Sequence, residues 1–143
     1  MIDSTIGGRA CGGLRLRPDL QEAEVALLAR AMTLKFGYLA LPHGGAKAGV
    51  IGEAEAPPEV KRERLLAFAR GIAPLLRSRG YAPHSDMGTT NADIRALLES
   101  VGLRVKRREL RGENSGYYTA LSVMAGIREG ARHVGLDLSR ATV

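Results

Sequence analysis

Lys35 and Lys47 stand twelve positions apart in LKFGYLALPHGGAKAGVI, residues 34–51. Lys47 is embedded in Gly44-Gly45-Ala46-Lys47-Ala48-Gly49. Three glycines beside one lysine in an apolar segment suggest a backbone held close to something, with an ammonium aimed at it. Apolar surroundings disfavour the charged form of an amine, which suits proton transfer or carbonyl polarisation near neutrality. They suit a Schiff base as well. A glycine-rich turn with a solvent-facing lysine has the same composition. Asp86 follows Pro83-His84-Ser85 and precedes Gly88. It falls on a loop at the end of a sheet element, where active groups collect, though an Asx turn or a cap for the next helix would use an aspartate equally well. Lys35 sits on the last turns of a helix, where the helix dipole alone is reason enough for a cation.

Other chemistries find less support. His43 precedes Gly-Gly at a helix stop and reads as a cap or surface group, while His84 and His133 are too scattered to build a metal site with one cysteine. No metal is expected. There is no nucleophile elbow, no G-x-G-x-x-G, and no Ser or Thr after Lys47 to complete a phosphate loop. The net charge of +6 permits an anionic partner. The basic run Arg104–Arg111 is interrupted by Val105, Glu109 and Leu110, and reads as a solvated strand edge or subunit contact rather than a nucleic-acid surface. Without tryptophan and with two phenylalanines, the chain offers few stacking platforms for bases. The single Cys11 excludes an internal disulfide and fits a reducing compartment. With no basic-then-apolar leader and no long apolar run, the expected location is the cytoplasm, away from membrane.

These residues need a scaffold, and 143 residues suffice for one domain with a sizeable core. Residues 1–16 have strand character interrupted by a glycine turn, with Arg15 and Arg17 on one face of the last strand and Leu14 and Leu16 on the other. Val25, Leu28, Ala29 and Met32 recur at helical spacing and predict a helix over about 21–40. Residues 46–51 read as a strand, and 59–77 as a helix that Pro74 kinks or closes. Residues 80–85 read as an extended link. A helix over 91–100 is capped by Thr89, Thr90 or Asn91, and Gly102 ends it. Residues 101–110 carry weak strand character and 112–116 a linker. A last helix runs over about 118–133, with Leu121, Met124, Ile127 and Ala131 as its stripe, and residues 135–143 read as a loop entering a strand. Strand–helix alternation predicts an α/β fold with an open mixed, mostly parallel sheet flanked by helices.

Taken in order, Gly12-Gly13-Leu14-Arg15, Met32-Thr33-Leu34-Lys35, Gly44-Gly45-Ala46-Lys47-Ala48-Gly49 and Asp86-Met87-Gly88-Thr89-Thr90 resemble the N-terminal domain of the glutamate/leucine/phenylalanine/valine dehydrogenases. Residues 3–10 (DSTIGGRA) and 115–120 (SGYYTA) match as well, so the resemblance covers nearly the whole chain. It implies NAD- or NADP-dependent oxidative deamination of an L-amino acid to a 2-oxo acid. It also implies a domain that holds substrate and oligomer contacts, with the cofactor on a separate Rossmann domain. Carried residue by residue, Lys35 grips the substrate α-carboxylate, and Lys47 is the catalytic lysine that activates water and polarises the reacting carbon. Asp86 exchanges protons with the amino group, Gly12 and Gly13 let backbone approach substrate, and Thr119 sits at the hinge near the nicotinamide.

Two departures bear on substrate. Where the glutamate branch has a lysine before Gly-Gly this chain has Cys11, and where it has a glutamine before the carboxylate-binding lysine this chain has Met32. Both make the side-chain pocket apolar, since a buried substrate carboxylate would lack its cation. The resemblance divides the chain into residues 1–134, a substrate-binding and oligomerisation domain beginning late, and residues 135–143, the start of a Rossmann domain that is missing. The chain alone is then expected to be inactive, an excised portion or one half of a split enzyme. A binding or assembly module without redox chemistry, built on the same scaffold, is the alternative.

Overall fold

The structure, a computed structural model, describes residues 1–105 and 115–142. These fall into two compact units, dividing between Leu110 and Arg111. The first unit is built on a sheet whose central strand is β1, Ala10–Arg17. On one side β1 pairs in succession with β2 (Gly44–Gly45) and β3 (Ala48–Ile51), and on the other with β4 (Tyr81–Ser85). All three pairings are parallel, with Cys11 opposite Gly45, Leu14 opposite Ala48, and Gly13 opposite His84. Antiparallel bridges join Ile2 to Ala46 and Ile6 to Arg9, so the sheet is mixed but mostly parallel.

The alternation along β1 places Leu14 and Leu16 on the core face, where they are fully buried. They pack with Leu65 of helix α2 (Pro58–Gly71), Leu76 of α3 (Ala73–Arg77), and Ile94 and Leu97 of α4 (Asn91–Ser100). The opposite face carries Arg15 and Arg17, which reach Glu24 near the start of α1 (Glu22–Tyr38). The sheet is therefore flanked by helices on both faces, as the strand–helix alternation predicts.

Several local expectations change. The predicted 59–77 helix is two helices separated at Ile72, because Pro74 lacks the N–H an unbroken helix needs and instead occupies the first turn of α3. The predicted link at 80–85 contains a true strand; Pro83 is tolerated because, among the described residues, β4 has a ladder partner only in β1. Thr90 is the cap of α4, accepting from the Asp93 N–H while the Asp93 carboxylate accepts from the Thr90 N–H, a reciprocal capping box. No strand forms over residues 101–105, and the rest of the expected excursion at 106–110 lies outside the described residues.

The second unit is a helix, α5, Ser115–Val134, followed by a 3₁₀ turn at Leu138–Arg140. The helix begins earlier than its apolar periodicity suggests and takes in part of the expected linker. Its stripe is unevenly covered: Ala131 is buried, whereas Leu121, Met124 and Ile127 are exposed. The 3₁₀ turn stands where entry to a strand was expected, because Asp137 accepts from the Ser139 N–H and closes a local turn.

Candidate active site

Lys47 leaves the chain between β2 and β3, where its backbone is fixed by exchange with the N-terminus. The Lys47 N–H donates to the Met1 carbonyl at 3.0 Å, and the Met1 amine donates to the Lys47 carbonyl at 2.9 Å. Its side chain is buried, which removes the solvent-facing turn reading. The Nζ atom lies 2.6 Å from Asp86 Oδ2. Asp86 is the first residue after β4, and its loop is stitched to β1. Thr89 Oγ1 accepts the Asp86 N–H at 2.9 Å and donates to the Leu14 carbonyl at 2.7 Å, while the Leu16 N–H donates to the Met87 carbonyl at 2.9 Å. Two parallel strands flanking β1 thus deliver the lysine and the carboxylate to its Gly13 segment.

Glycine at position 13 leaves the space the pair occupies. A Cβ there would stand 2.8 Å from Asp86 Cβ and 3.1 Å from Lys47 Nζ. Gly12 serves backbone packing instead: its Cβ would fall 1.6 Å from the Ala46 carbonyl oxygen. The Gly12 carbonyl accepts a hydrogen bond from the buried Tyr81 hydroxyl at 3.1 Å. Burial, followed by the nearby Cys11 and Asp86, pushes that hydroxyl well up, so it remains a donor.

Asp86 is ionised at neutral pH. Burial opposes its charge, but hydrogen bonds from Lys47 and then Arg15 outweigh that and hold the carboxyl below its ordinary value. The linkage has a definite sign. A carboxylate whose pKa is lower folded than unfolded contributes stability above the unfolded value, about 3.9, and loses it as pH falls through the folded value. Asp86→Asn is therefore expected to destabilise the chain at pH 7, with the gap from wild type narrowing in urea melts repeated toward pH 3. A gap independent of pH would show that the charge does not contribute.

Of the other residues singled out from sequence, Cys11 is buried on β1 and Met32 is half-buried on α1. Burial raises the Cys11 thiol pKa, partly offset by the Lys35 charge, which places Lys35 within electrostatic reach of Cys11. Lys35 is exposed and, among the described residues, makes no direct contact with Lys47 or Asp86. Thr119 is exposed on α5, in the second unit. A cavity of about 330 Å³ adjoins Lys47 along the β3 edge, lined by Leu20, Val25, Phe68, Ile72 and Tyr81; Asp86 and Gly13 do not line it. The pair beside Gly13 is the candidate site, because there a buried lysine meets a carboxylate.

Sequence reasoning missed Arg15, whose Nε donates to Asp86 Oδ2 at 2.9 Å, and Thr89, which fixes the Asp86 loop. For Arg15 the available signal was its place two residues beyond Gly13, hence on the same strand face. For Thr89 it was the Asp-x-x-Thr spacing of a hydroxyl-closed turn.

The profile described as "Glu/Leu/Phe/Val dehydrogenase, dimerisation domain" matches residues 2–102. The chain belongs to this dehydrogenase family. It is 36% identical over 145 residues to the valine dehydrogenase of Streptomyces virginiae, covering 96% of this chain and 39% of that protein. Against the NAD-specific glutamate dehydrogenase of Staphylococcus aureus (strain COL) it is 30% identical over 149 residues, covering 95% of this chain and 36% of the relative. Among solved structures, the hetero-hexameric glutamate dehydrogenase of Thermus thermophilus in its Leu-bound form superposes with a TM-score of 0.69 at 26% identity, over 92% of this chain and 34% of that one. The chain spans less than two fifths of the curated dehydrogenases it matches. Family members use NAD(P), yet among the described residues no strand-to-helix turn carries the glycine-rich dinucleotide fingerprint. The residues present do not fit the cofactor. No described helix is long and apolar enough to cross a membrane, and no described cluster of His, Cys, Asp and Glu could hold a metal.

Proposed function

We propose that this chain is the substrate-binding portion of an NAD(P)-dependent L-amino-acid dehydrogenase, whose turnover requires a Rossmann domain. The observation that carries the reading is the buried Lys47 Nζ held 2.6 Å from Asp86 Oδ2 against Gly13, whose lack of a Cβ leaves room for the pair. A substrate ammonium presented there loses a proton to the ionised Asp86. Lys47 polarises the adjacent carbon's substituent and, in its amine form, takes a proton from the attacking water. Lys35 supplies the cation for the α-carboxylate, and Gly12 and Gly13 allow close approach. Cys11 and Met32 form an apolar wall for the substrate side chain. Thr119 belongs to the hinge, on the nicotinamide side. Hydride transfer is assigned to a dinucleotide-binding domain, since among the described residues no glycine-rich strand-to-helix turn is present to hold the dinucleotide.

An apolar side-chain wall favours an aliphatic or aromatic amino acid, since a glutamate side-chain carboxylate would be desolvated without a cation. The Streptomyces virginiae relative, a valine dehydrogenase, supports the same direction. Contacts between copies fit a domain whose family profile is described as a dimerisation domain. The test mixes the purified chain with a Rossmann-domain polypeptide and follows NAD(P) reduction with L-valine, L-leucine, L-phenylalanine and L-glutamate. Turnover of the apolar amino acids and not of glutamate is expected. Binding of amino acid or 2-oxo acid without turnover from any partner would replace the enzymatic reading with a binding module.

A further inference from the structure

Arg15 is drawn into the Lys47–Asp86 pair from the far side. Its Nε donates to Asp86 Oδ2 at 2.9 Å, the same oxygen that Lys47 Nζ approaches to 2.6 Å. Its Nη1 donates to Glu24 Oε1 at 2.5 Å. Glu24 Oε2 accepts in turn from Arg17 Nη2 at 3.1 Å, and Arg17 Nε donates to Asp19 Oδ1 at 2.6 Å. The result is a chain of alternating charge running from Lys47 through Asp86, Arg15, Glu24 and Arg17 to Asp19. Side-chain exposure is 8% at Lys47, 21% at Asp86 and 12% at Arg15, and then rises to 72% at Asp19. Three cations and three anions balance, so the buried end is neutralised by paired charges rather than by solvent.

We propose that Arg15, anchored by Glu24, is the positioning residue of this site, holding the Asp86 carboxylate in place while Lys47 changes protonation state. The inference rests on the dehydrogenase reading above and assigns a role to a residue outside the lysines, aspartate and glycines that reading uses. Its physical basis is an asymmetry between the two cations. An amine that takes part in proton transfer must pass through a neutral form, and at that moment it no longer holds the carboxylate by charge. A guanidinium stays protonated throughout. Its planar fork also spans two acceptors at once, here Asp86 on one arm and Glu24 on the other, which an ammonium does less rigidly. Burial works against the Arg15 charge, and the bonds to Asp86 and Glu24 overcome it. Position matters too: Gly13 and Arg15 are two apart on β1, so one strand face supplies both the room the pair occupies and the clamp.

A purely architectural role, tying β1 to α1 and to the Asp86 loop, makes a different prediction. The decisive measurement is a carbon-detected NMR titration of the Asp86 carboxyl in the 143-residue chain, for wild type, R15Q, R15K, K47M and the K47M/R15Q double variant. Loss of Arg15 is expected to move the Asp86 titration upward toward the ordinary carboxylate range, and further upward in the K47M background, where Arg15 is the remaining cation. R15K keeps the charge without the fork and is expected between wild type and R15Q; it also provides a folded comparison should R15Q lose its structure. With a Rossmann partner supplied, R15Q is expected to lower kcat about tenfold, the low end of what supporting residues contribute. The amino-acid KM stays close to wild type, and the acidic limb of the pH profile moves upward. An unchanged Asp86 titration in R15Q, accompanied only by a lower Tm, would overturn the proposal. No turnover from wild type with any partner would overturn the dehydrogenase reading instead, while the titration still decides whether Arg15 governs Asp86.

Discussion

Replacing Lys47 by alanine is expected to lower kcat for amino-acid deamination by about 10³-fold or more in the presence of a Rossmann-domain partner. A positioned acid or base contributes about 10²–10⁴, and a cation aimed at developing charge contributes about 10²–10³. Lys47 is proposed to do both, so its loss should exceed either lower limit. The effect should fall on kcat, because the substrate carboxylate is assigned to Lys35 and ground-state binding survives. Lys35→Ala should show the opposite pattern, a raised KM with kcat largely retained. The fold should persist in Lys47→Ala, since Asp86 keeps Arg15 at 2.9 Å and is not left as an unpaired buried charge. Circular dichroism and Tm check that point, and Lys47→Met, which preserves the aliphatic stem, provides a second folded variant. Turnover within tenfold of wild type in either variant would remove Lys47 from the chemistry.

The lysine and the aspartate could be picked out of the sequence because their neighbours are unusual: glycines on both sides of Lys47, and a Pro-to-Gly loop around Asp86. Their meeting at 2.6 Å could not. Nothing local to residue 47 or residue 86 says that β3 and β4 flank the same strand; that follows only from strand order, which many sequences with the same alternation could satisfy differently. The two faces of β1 were legible, because period-two alternation separates Leu14 and Leu16 from Arg15 and Arg17. The partner of Arg15 was not, since alternation assigns a face and leaves open which loop or helix lies against it. Proline misled in one place and informed in another. Pro83 made residues 80–85 look like a link, although a strand pairing on one side tolerates it. Pro74 signalled a break correctly, without saying that a new helix begins there. The α5 stripe had a helical period and a correct helix, but period carries no information about what covers the apolar side, and Leu121, Met124 and Ile127 are exposed.

The adjacent glycines of β1 should separate stability from chemistry when each is changed to alanine. In Gly12→Ala the new methyl group would fall 1.6 Å from the Ala46 carbonyl oxygen and 2.5 Å from its carbon, both backbone atoms. Relief requires moving the segment that joins β2 to β3, whose Ala46 N–H donates to the Cys11 carbonyl at 2.9 Å and whose Lys47 carries the site. The expected cost is about 3 kcal/mol or more, the upper end of the overpacking range and a large share of the roughly 5–15 kcal/mol that keeps a domain folded. In Gly13→Ala the nearest atoms are side-chain atoms, Asp86 Cβ at 2.8 Å and Lys47 Nζ at 3.1 Å. Asp86 Cβ cannot rotate away, so the loop that carries it must give by a few tenths of an ångström, a smaller movement than Gly12→Ala demands, and this variant should stay folded with a loss of about 1–2 kcal/mol. Alanine also restricts the unfolded chain, which offsets roughly 0.4–1 kcal/mol of either cost and leaves the difference between them unchanged. The site, however, pays through geometry: Asp86 must retreat from β1 or Lys47 must turn from Asp86, and a misplacement near 1 Å costs about 10²-fold in rate. Urea melts and kcat measured side by side decide the matter. Gly12→Ala with a strongly lowered urea midpoint and Gly13→Ala folded but slow is the expected result, whereas a fast Gly13→Ala enzyme would mean that the chemistry does not depend on the Lys47–Asp86 pair packed against Gly13.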